Sequence, residues 1–139
     1  MDEISLNYFN SLARQIITIS SLLGGFSIAV IANLLVSGAS TKLHKAIVAS
    51  STLAACFFLI TVFAMTSVLL KTTEGYPHAI SKSSLELPNV IGAITFYLGI
   101  ISLLAIISLS GWTKSKRMGW FSTTVGVITL ISIILLTGI

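Results

Sequence analysis

The chain has 139 residues, of which 55% are hydrophobic and only 9% are charged. An ordinary soluble domain has a charged share more than twice as large, so the composition excludes a soluble enzyme domain. The few charges cluster and leave four uncharged runs, at residues 15–41, 46–70, 87–113 and 118–139. Each run exceeds the roughly 20 residues that a helix needs to cross the hydrocarbon core of a bilayer.

The four runs are predicted to be transmembrane helices. A membrane span must satisfy its own backbone hydrogen bonds, as a helix or within a closed barrel. Barrel strands alternate apolar and polar residues, whereas residues 101–109 and 128–136 are almost continuously apolar. We therefore expect one all-α membrane domain, residues 1–139, with short loops and spans near 16–37, 46–70, 89–110 and 119–137.

The residues before the first span carry an apolar stripe. Ile4, Tyr8, Leu12 and Ile16 recur every four positions, which is typical of one helix face. This segment either lies in the membrane interface or extends the first helix. Because the first span follows two acidic residues rather than a basic segment, we expect it to remain in the mature protein and not to be a cleaved signal peptide.

The first span has one face of small and weakly polar residues. This face contains Arg14, Thr18, Ser21, Gly25, Ala29 and Ala32, with Asn33 next to the last of them, whereas the other face is Ile and Leu. Such a stripe either allows close packing of helices or lines a water-filled path. Asn33 needs a partner for its amide, which is either a Ser or Thr of a neighbouring helix or a ring of Asn side chains around a pore. Arg14 is either a snorkelling interfacial residue or a basic collar at a pore mouth.

Reactive chemistry is missing from the predicted spans. They contain no ionisable carboxylate, amine, guanidinium or imidazole, which excludes transporters that depend on such a group inside the membrane, as small four-helix multidrug exporters do. His44 and His78 fall in loops on opposite faces of the membrane and cannot share a metal ion within one chain. Either both are solvated loop residues, or the His78 side chains of several copies form a ring in an oligomer. Cys56, the single cysteine, is expected to be a small buried hydrophobe. We expect no enzyme activity, catalytic residue, metal site or cofactor.

The third and fourth spans carry packing signals. Pro88 suits the first turn of a helix, because its missing N–H would be unbonded there anyway, and it predicts a helix start near Leu87. Small residues that allow close helix packing are predicted at Gly92 and Gly99 in the third span and at Ser122 and Gly126 in the fourth.

Aromatic and basic residues mark the ends of the last two spans. Trp112 and Trp120 flank the basic loop 114–117, at the headgroup level that amphipathic rings prefer. Loops one and three hold five Lys and Arg residues and the other side holds three, which favours termini outside, both on the same side of the cell membrane. The net charge of +4 is spread over short loops, so attraction to anionic headgroups explains it and nucleic-acid binding is not predicted.

Two segments resemble a known channel family. Residues 22–33, LLGGFSIAVIAN, resemble the first transmembrane helix of the Orai calcium-release-activated calcium channels, and residues 46–70, which include VFAM at 62–65, resemble that family's second helix. The resemblance implies a ring of subunits in which the first helix lines the pore. It also implies a selectivity ring near one end of that helix, a hydrophobic gate, and basic residues near the other end.

The resemblance can be carried over residue by residue. Asn33 falls on the glutamate that selects calcium. Gly25 falls on the hinge glycine, with Phe26 beside it. Leu22 and Ala29 fall on gate positions, and Arg14 falls on a basic position. Thr18 falls on a further basic position and does not match. Because a neutral ring at Asn33 lacks the carboxylates that hold a divalent ion, calcium selectivity is not predicted. The family's termini are cytoplasmic, opposite to the expectation from the charge count.

These features lead to one hypothesis and two alternatives. Four helices of this size enclose too little space for a conduction path, so a pore must run along a symmetry axis between several copies. The sequence predicts a small homo-oligomeric channel or pore in the lipid bilayer that passes inorganic ions with weak cation selectivity or none. The alternatives are a non-conducting accessory or assembly subunit that binds partner helices, and a membrane-permeabilising effector of the holin or defence-pore type.

Overall fold

The computed structural model describes residues 3–38, 40–73 and 82–138, and they form four α-helices. The helices are α1 (Glu3–Val36), α2 (Lys42–Thr72), α3 (Lys82–Trp112) and α4 (Lys116–Thr137). All four are long and apolar enough to cross a membrane. The predicted all-α fold, with four helices that could each span a membrane, is therefore confirmed.

Short polar residues begin two of the helices. The hydroxyl of Thr41 accepts a hydrogen bond from the backbone N–H of His44 at 3.2 Å, and the hydroxyl of Ser115 accepts one from Met118 at 3.2 Å. Each satisfies a backbone donor that the first helical turn leaves unbonded. Only a few residues separate α1 from α2 and α3 from α4.

The N-terminal segment extends α1 and does not form a separate element. Its packed residues are Ala13 with Phe9, Ile16 and Ile17, which contact a cluster that includes Met65 of α2 and Leu85 of α3. Tyr8, which belongs to the predicted stripe, is 64% exposed. The packed face thus shares Ile16 with the stripe that the sequence suggested but does not include Tyr8.

The helices are arranged in chain order. In the described part of the chain, extensive contacts join α1 to α2, α2 to α3, and α3 to α4. A second buried cluster, formed by Ile47, Ala54, Phe58 and Ile106, lies mainly between α2 and α3 and is covered by Leu23 and Val30 of α1. The middle positions therefore belong to α2 and α3, and α1 and α4 are the two edge helices.

The start of α3 differs from the prediction, which placed it near Leu87. The helix begins at Lys82, so Pro88 lies inside it. Pro88 has no N–H to donate to the carbonyl of Ser84 one turn earlier, and the Lys71 ammonium donates to that carbonyl at 2.8 Å. This contact from the end of α2 compensates for the proline and lets the helix start earlier.

Glycines bring α3 close to α2. Gly92 lies against Met65, and Gly99 lies against the ring of Phe58, so that a Cβ atom at either glycine would collide with those side chains. Between these two contacts, the buried hydroxyls of Thr61 and Thr95 are hydrogen-bonded at 2.8 Å. Close approach and one buried hydrogen bond therefore hold the central helix pair.

Small residues also form the contact between α3 and α4. The Ser122 hydroxyl donates to the backbone carbonyl of Ser108 at 3.2 Å, and Gly126, which is buried, lies beside the Ser108 hydroxyl. Gly111 faces Ser122 in the same way. The four residues predicted to pack helices all lie at helix contacts.

Two residues lie elsewhere than expected. His44, predicted in a loop, is in the first turn of α2, because the helix begins directly after its cap Thr41. Its side chain is half-buried. Cys56, predicted to be buried, is on the exposed side of α2, whereas the preceding Ala54 and Ala55 are buried in the core. His78 lies outside the described residues.

Candidate pore-lining face of the first helix

Helix α1 has one packed face and one free face. The buried residues Ala13, Ser20, Gly24 and Ser27 recur every three to seven positions, as they do when one side of a helix packs on a neighbour. The seven predicted pore-lining residues are all exposed: Arg14, Thr18, Leu22, Gly25, Phe26, Ala29 and Asn33. We refer to these seven residues as the outer face of α1.

Two consecutive glycines, Gly24 and Gly25, lie on different faces of α1. A Cβ atom at Gly24 would lie 3.3 Å from the Cβ of Phe58, whereas one at Gly25 would meet nothing within 4 Å. Gly24 therefore allows the close approach of α1 and α2. A side chain at Gly25 would contact none of the residues that the structure describes.

Hydrogen bonds fix the Arg14 end of the outer face to α2. The guanidinium Nε of Arg14 donates to the Asn10 side-chain oxygen at 3.1 Å. The Asn10 amide donates in turn to the Thr72 hydroxyl at 3.2 Å and to the Thr73 hydroxyl at 3.5 Å. Because Asn10 links the two helices, the positive charge of Arg14 is held at a defined position and remains exposed.

Asn33 lies in the last turn of α1, at the other end of the outer face. Its backbone carbonyl accepts from the N–H of Ser37 at 3.2 Å. Its side chain is exposed and makes no hydrogen bond to any residue that the structure describes. The bond to a neighbouring Ser or Thr that the sequence left open is therefore not made within the described chain.

His44 forms a hydrogen bond across the short connection between α1 and α2, close to Asn33. The imidazole Nε2 of His44 is hydrogen-bonded to the carbonyl of Leu34 at 3.0 Å, and the Ser37 hydroxyl donates to the same carbonyl at 2.8 Å. These bonds satisfy a carbonyl that the last helical turn would leave unbonded. They also hold the end of α1, and with it Asn33, against the start of α2.

The length of the outer face matches a membrane. At 1.5 Å per residue, Arg14 and Asn33 are about 28 Å apart along the helix axis, close to the thickness of the hydrocarbon core. Leu22, Gly25, Phe26 and Ala29 lie between them and are small or apolar. The face thus has a cationic group at one boundary, an amide at the other, and an apolar middle.

Sequence reasoning missed one buried polar group. The hydroxyl of Ser20 is completely buried on the packed face of α1 and has no hydrogen-bond partner in the described residues. Ser27, further along on the same face, donates to the Leu23 carbonyl at 2.9 Å. Nothing in the spacing distinguishes these two serines, so no sequence signal could have found the difference.

The described residues contain no group of three His, Cys, Asp or Glu side chains close enough to hold a metal ion. Comparison with known protein families, curated proteins and solved structures gives no match to this chain. The function is therefore inferred from the residues and contacts of the chain itself.

Proposed function

We propose that this chain is a subunit of a small homo-oligomeric membrane channel in which α1 surrounds the axis and its outer face lines the conduction path. The channel passes inorganic ions with weak cation selectivity or none. The proposal rests above all on one observation, the exposure of all seven residues of the outer face on an edge helix.

The composition of the outer face supports a polar path better than contact with lipid. Lipid-facing helix surfaces are predominantly Leu, Ile, Val and Phe, because lipid tails offer no hydrogen-bond partner. The opposite edge helix, α4, has such a surface, with Val127, Ile131 and Leu135 exposed. The outer face of α1 also exposes Leu22 and Phe26, but it carries Arg14 and Asn33 at its two ends and Gly25 between them, and these residues favour either water or another copy of the same face.

The two ends and the middle of the outer face suggest separate roles in conduction. A ring of Asn33 amides offers partial charges of both signs and replaces part of an ion's hydration shell without discriminating strongly. The apolar stretch around Leu22 and Phe26 would act as a gate, because narrow hydrophobic constrictions exclude water. Arg14 would form a basic collar at the mouth near the chain termini.

The resemblance to Orai channels supports the same arrangement. It assigns the first helix to the axis and aligns Asn33 with the selectivity position. Because Asn33 is neutral and a calcium site requires carboxylate oxygens, the proposed channel does not select calcium.

Ion flux through reconstituted protein tests the proposal. We expect purified wild-type protein in liposomes to pass monovalent cations, and the Asn33→Asp variant to gain preference for cations over anions and for divalent over monovalent ions, because it adds a ring of carboxylates. Asn33→Leu is the matched control without charge, and it should lower the flux. Absence of flux, or unchanged selectivity in Asn33→Asp, would contradict the pore assignment.

The alternatives give different results in the same preparations. A non-conducting accessory subunit would give no flux and would co-purify with a second protein in fixed stoichiometry. A permeabilising effector would release large dyes together with ions and would be toxic on overexpression. An image of the purified particle along its symmetry axis should show several copies with α1 innermost, and a central α4 would overturn the proposal.

A further inference from the structure

The turn between α3 and α4 presents three positive charges. Lys114, Lys116 and Arg117 are all exposed, and none of them forms an ion pair with a residue that the structure describes. The sequence contains no acidic residue after Glu86. Lys116 and Arg117 also lie in the first turn of α4, where the helix dipole is positive, so no residue that the structure describes neutralises this charge.

Backbone hydrogen bonds hold the turn in a compact form. The N–H of Thr113 donates to Ser110 at 3.2 Å, and the N–H of Lys114 donates to Gly111 at 3.3 Å. Ser115 then caps α4. The three cationic residues therefore extend from a short, well-bonded turn and fall within four consecutive positions of the chain.

Two indole rings lie beside these charges. Trp112 covers Gly119, where a Cβ atom would collide with its ring, and its Nε1 donates to the Thr123 hydroxyl at 3.2 Å. The ring centroid of Trp112 is 6.3 Å from that of Trp120. Tryptophan prefers the headgroup level of a bilayer, so this pair places the turn at the depth of the lipid phosphates.

We infer that the turn, with Lys114, Lys116, Arg117 and the two tryptophans, is a binding site for the headgroup of an anionic phospholipid. The phosphate and any further negative charge of the headgroup would lie among the three cations. The glycerol and upper acyl chains would lie against the indole rings. This inference does not depend on the proposed channel function.

The two tryptophans are the only ones in the sequence, and they provide a built-in probe. The full chain is reconstituted in phosphatidylcholine bilayers that contain a brominated lipid, either phosphatidylglycerol or phosphatidylcholine, and quenching of tryptophan fluorescence is measured. We expect the relative binding constant to favour the anionic lipid in the wild type. The triple variant Lys114→Gln, Lys116→Gln, Arg117→Gln should lose this preference, with a decrease of up to about fivefold per charge.

The control is Lys42→Gln with Lys45→Gln, which removes charges from the first turn of α2, on the same side of the molecule. We expect this variant to keep the preference for the anionic lipid, and an equal loss of the preference would show general electrostatic attraction and overturn the site.

If the triple variant does not fold, Arg117→Gln and a salt titration of the wild type replace it. A preference for the anionic lipid that neither of them lowers contradicts the inference. Inorganic phosphate should compete no better than chloride at equal ionic strength, since competition by phosphate alone would indicate a site for the free ion and overturn the lipid assignment.

Discussion

At the scale of single residues, Gly24 and Gly25 differ in role although they are neighbours with the same side chain. Gly24 faces Phe58 of α2, whereas Gly25 faces open space. Gly24 therefore contributes to packing within the chain, whereas Gly25 leaves its side of the helix open, as the proposed channel requires.

Matched substitutions separate these roles. Gly24→Leu should destabilise the subunit by about 1–3 kcal/mol, because the added side chain overpacks the contact with α2. Gly25→Leu should change subunit stability by less than about 0.5 kcal/mol but should strongly reduce ion flux, because it narrows the proposed path. Unfolding in mixed micelles and liposome flux measure the two effects, and a destabilised Gly25→Leu with normal flux would contradict this division of roles.

The faces of α1 show how far the sequence alone could go at this scale. The spacing of small residues grouped Arg14, Gly25 and Asn33 on one side of the helix, because residues three and four apart share one side, and these residues are exposed; Leu22 and Phe26 were added only by the resemblance. The spacing did not identify the packed face, on which Ser20 and Gly24 are buried. That assignment depends on the shape of Phe58 and its neighbours on another helix, which no pattern within α1 encodes.

At the scale of helices, charge spacing predicted the spans but not their ends. An uncharged run of more than about 20 residues has one stable state in a bilayer, which is a helix. Outside the hydrocarbon the ends depend on capping and on contacts between helices. The start of α3 was predicted wrongly for this reason, since the bond from Lys71 to the Ser84 carbonyl joins residues on two different helices.

The link between Lys71 and the start of α3 can be tested with a double-mutant cycle. Lys71→Met should destabilise the fold by about 1–2 kcal/mol and increase hydrogen exchange of the amides near Leu85. Lys71→Arg, which keeps a cationic donor, is the matched control and should retain most of the stability. In a Pro88→Ala background Lys71→Met should destabilise the fold by less, because the substituted alanine supplies the N–H that proline lacks. An unchanged loss of stability would mean that Lys71 acts in another way.

At the scale of the whole molecule, charge is distributed unequally between the two ends of the helix row. The end formed by the two short turns has five Lys and Arg residues, and the acidic residues within the described helices, Glu3 and Glu86, are both at the other end. Basic residues near span ends are retained in the cytoplasm. We therefore expect the two short turns to lie inside the cell and the termini outside.

Cysteine labelling tests this orientation. In a Cys56→Ser background, Thr73→Cys should react with a membrane-impermeant thiol reagent on intact cells, and Ser40→Cys should react only after permeabilisation. Both positions are exposed, so access to the reagent rather than burial decides the result. The reverse labelling pattern would place the termini in the cytoplasm, as in the Orai family.

The unequal lengths of the helices have a consequence for the host membrane. Helix α4 has 22 residues, whereas α1 has 34 and α2 and α3 have 31 each. At about 33 Å, α4 is just long enough for an average bilayer, and the other three have length to spare. In a thicker bilayer the apolar length of α4 alone would be shorter than the hydrocarbon core, which is hydrophobic mismatch. Because the tryptophan pair anchors the first turn of α4, the bilayer would have to become thinner around its exposed C-terminal turn at Leu135 and Leu136.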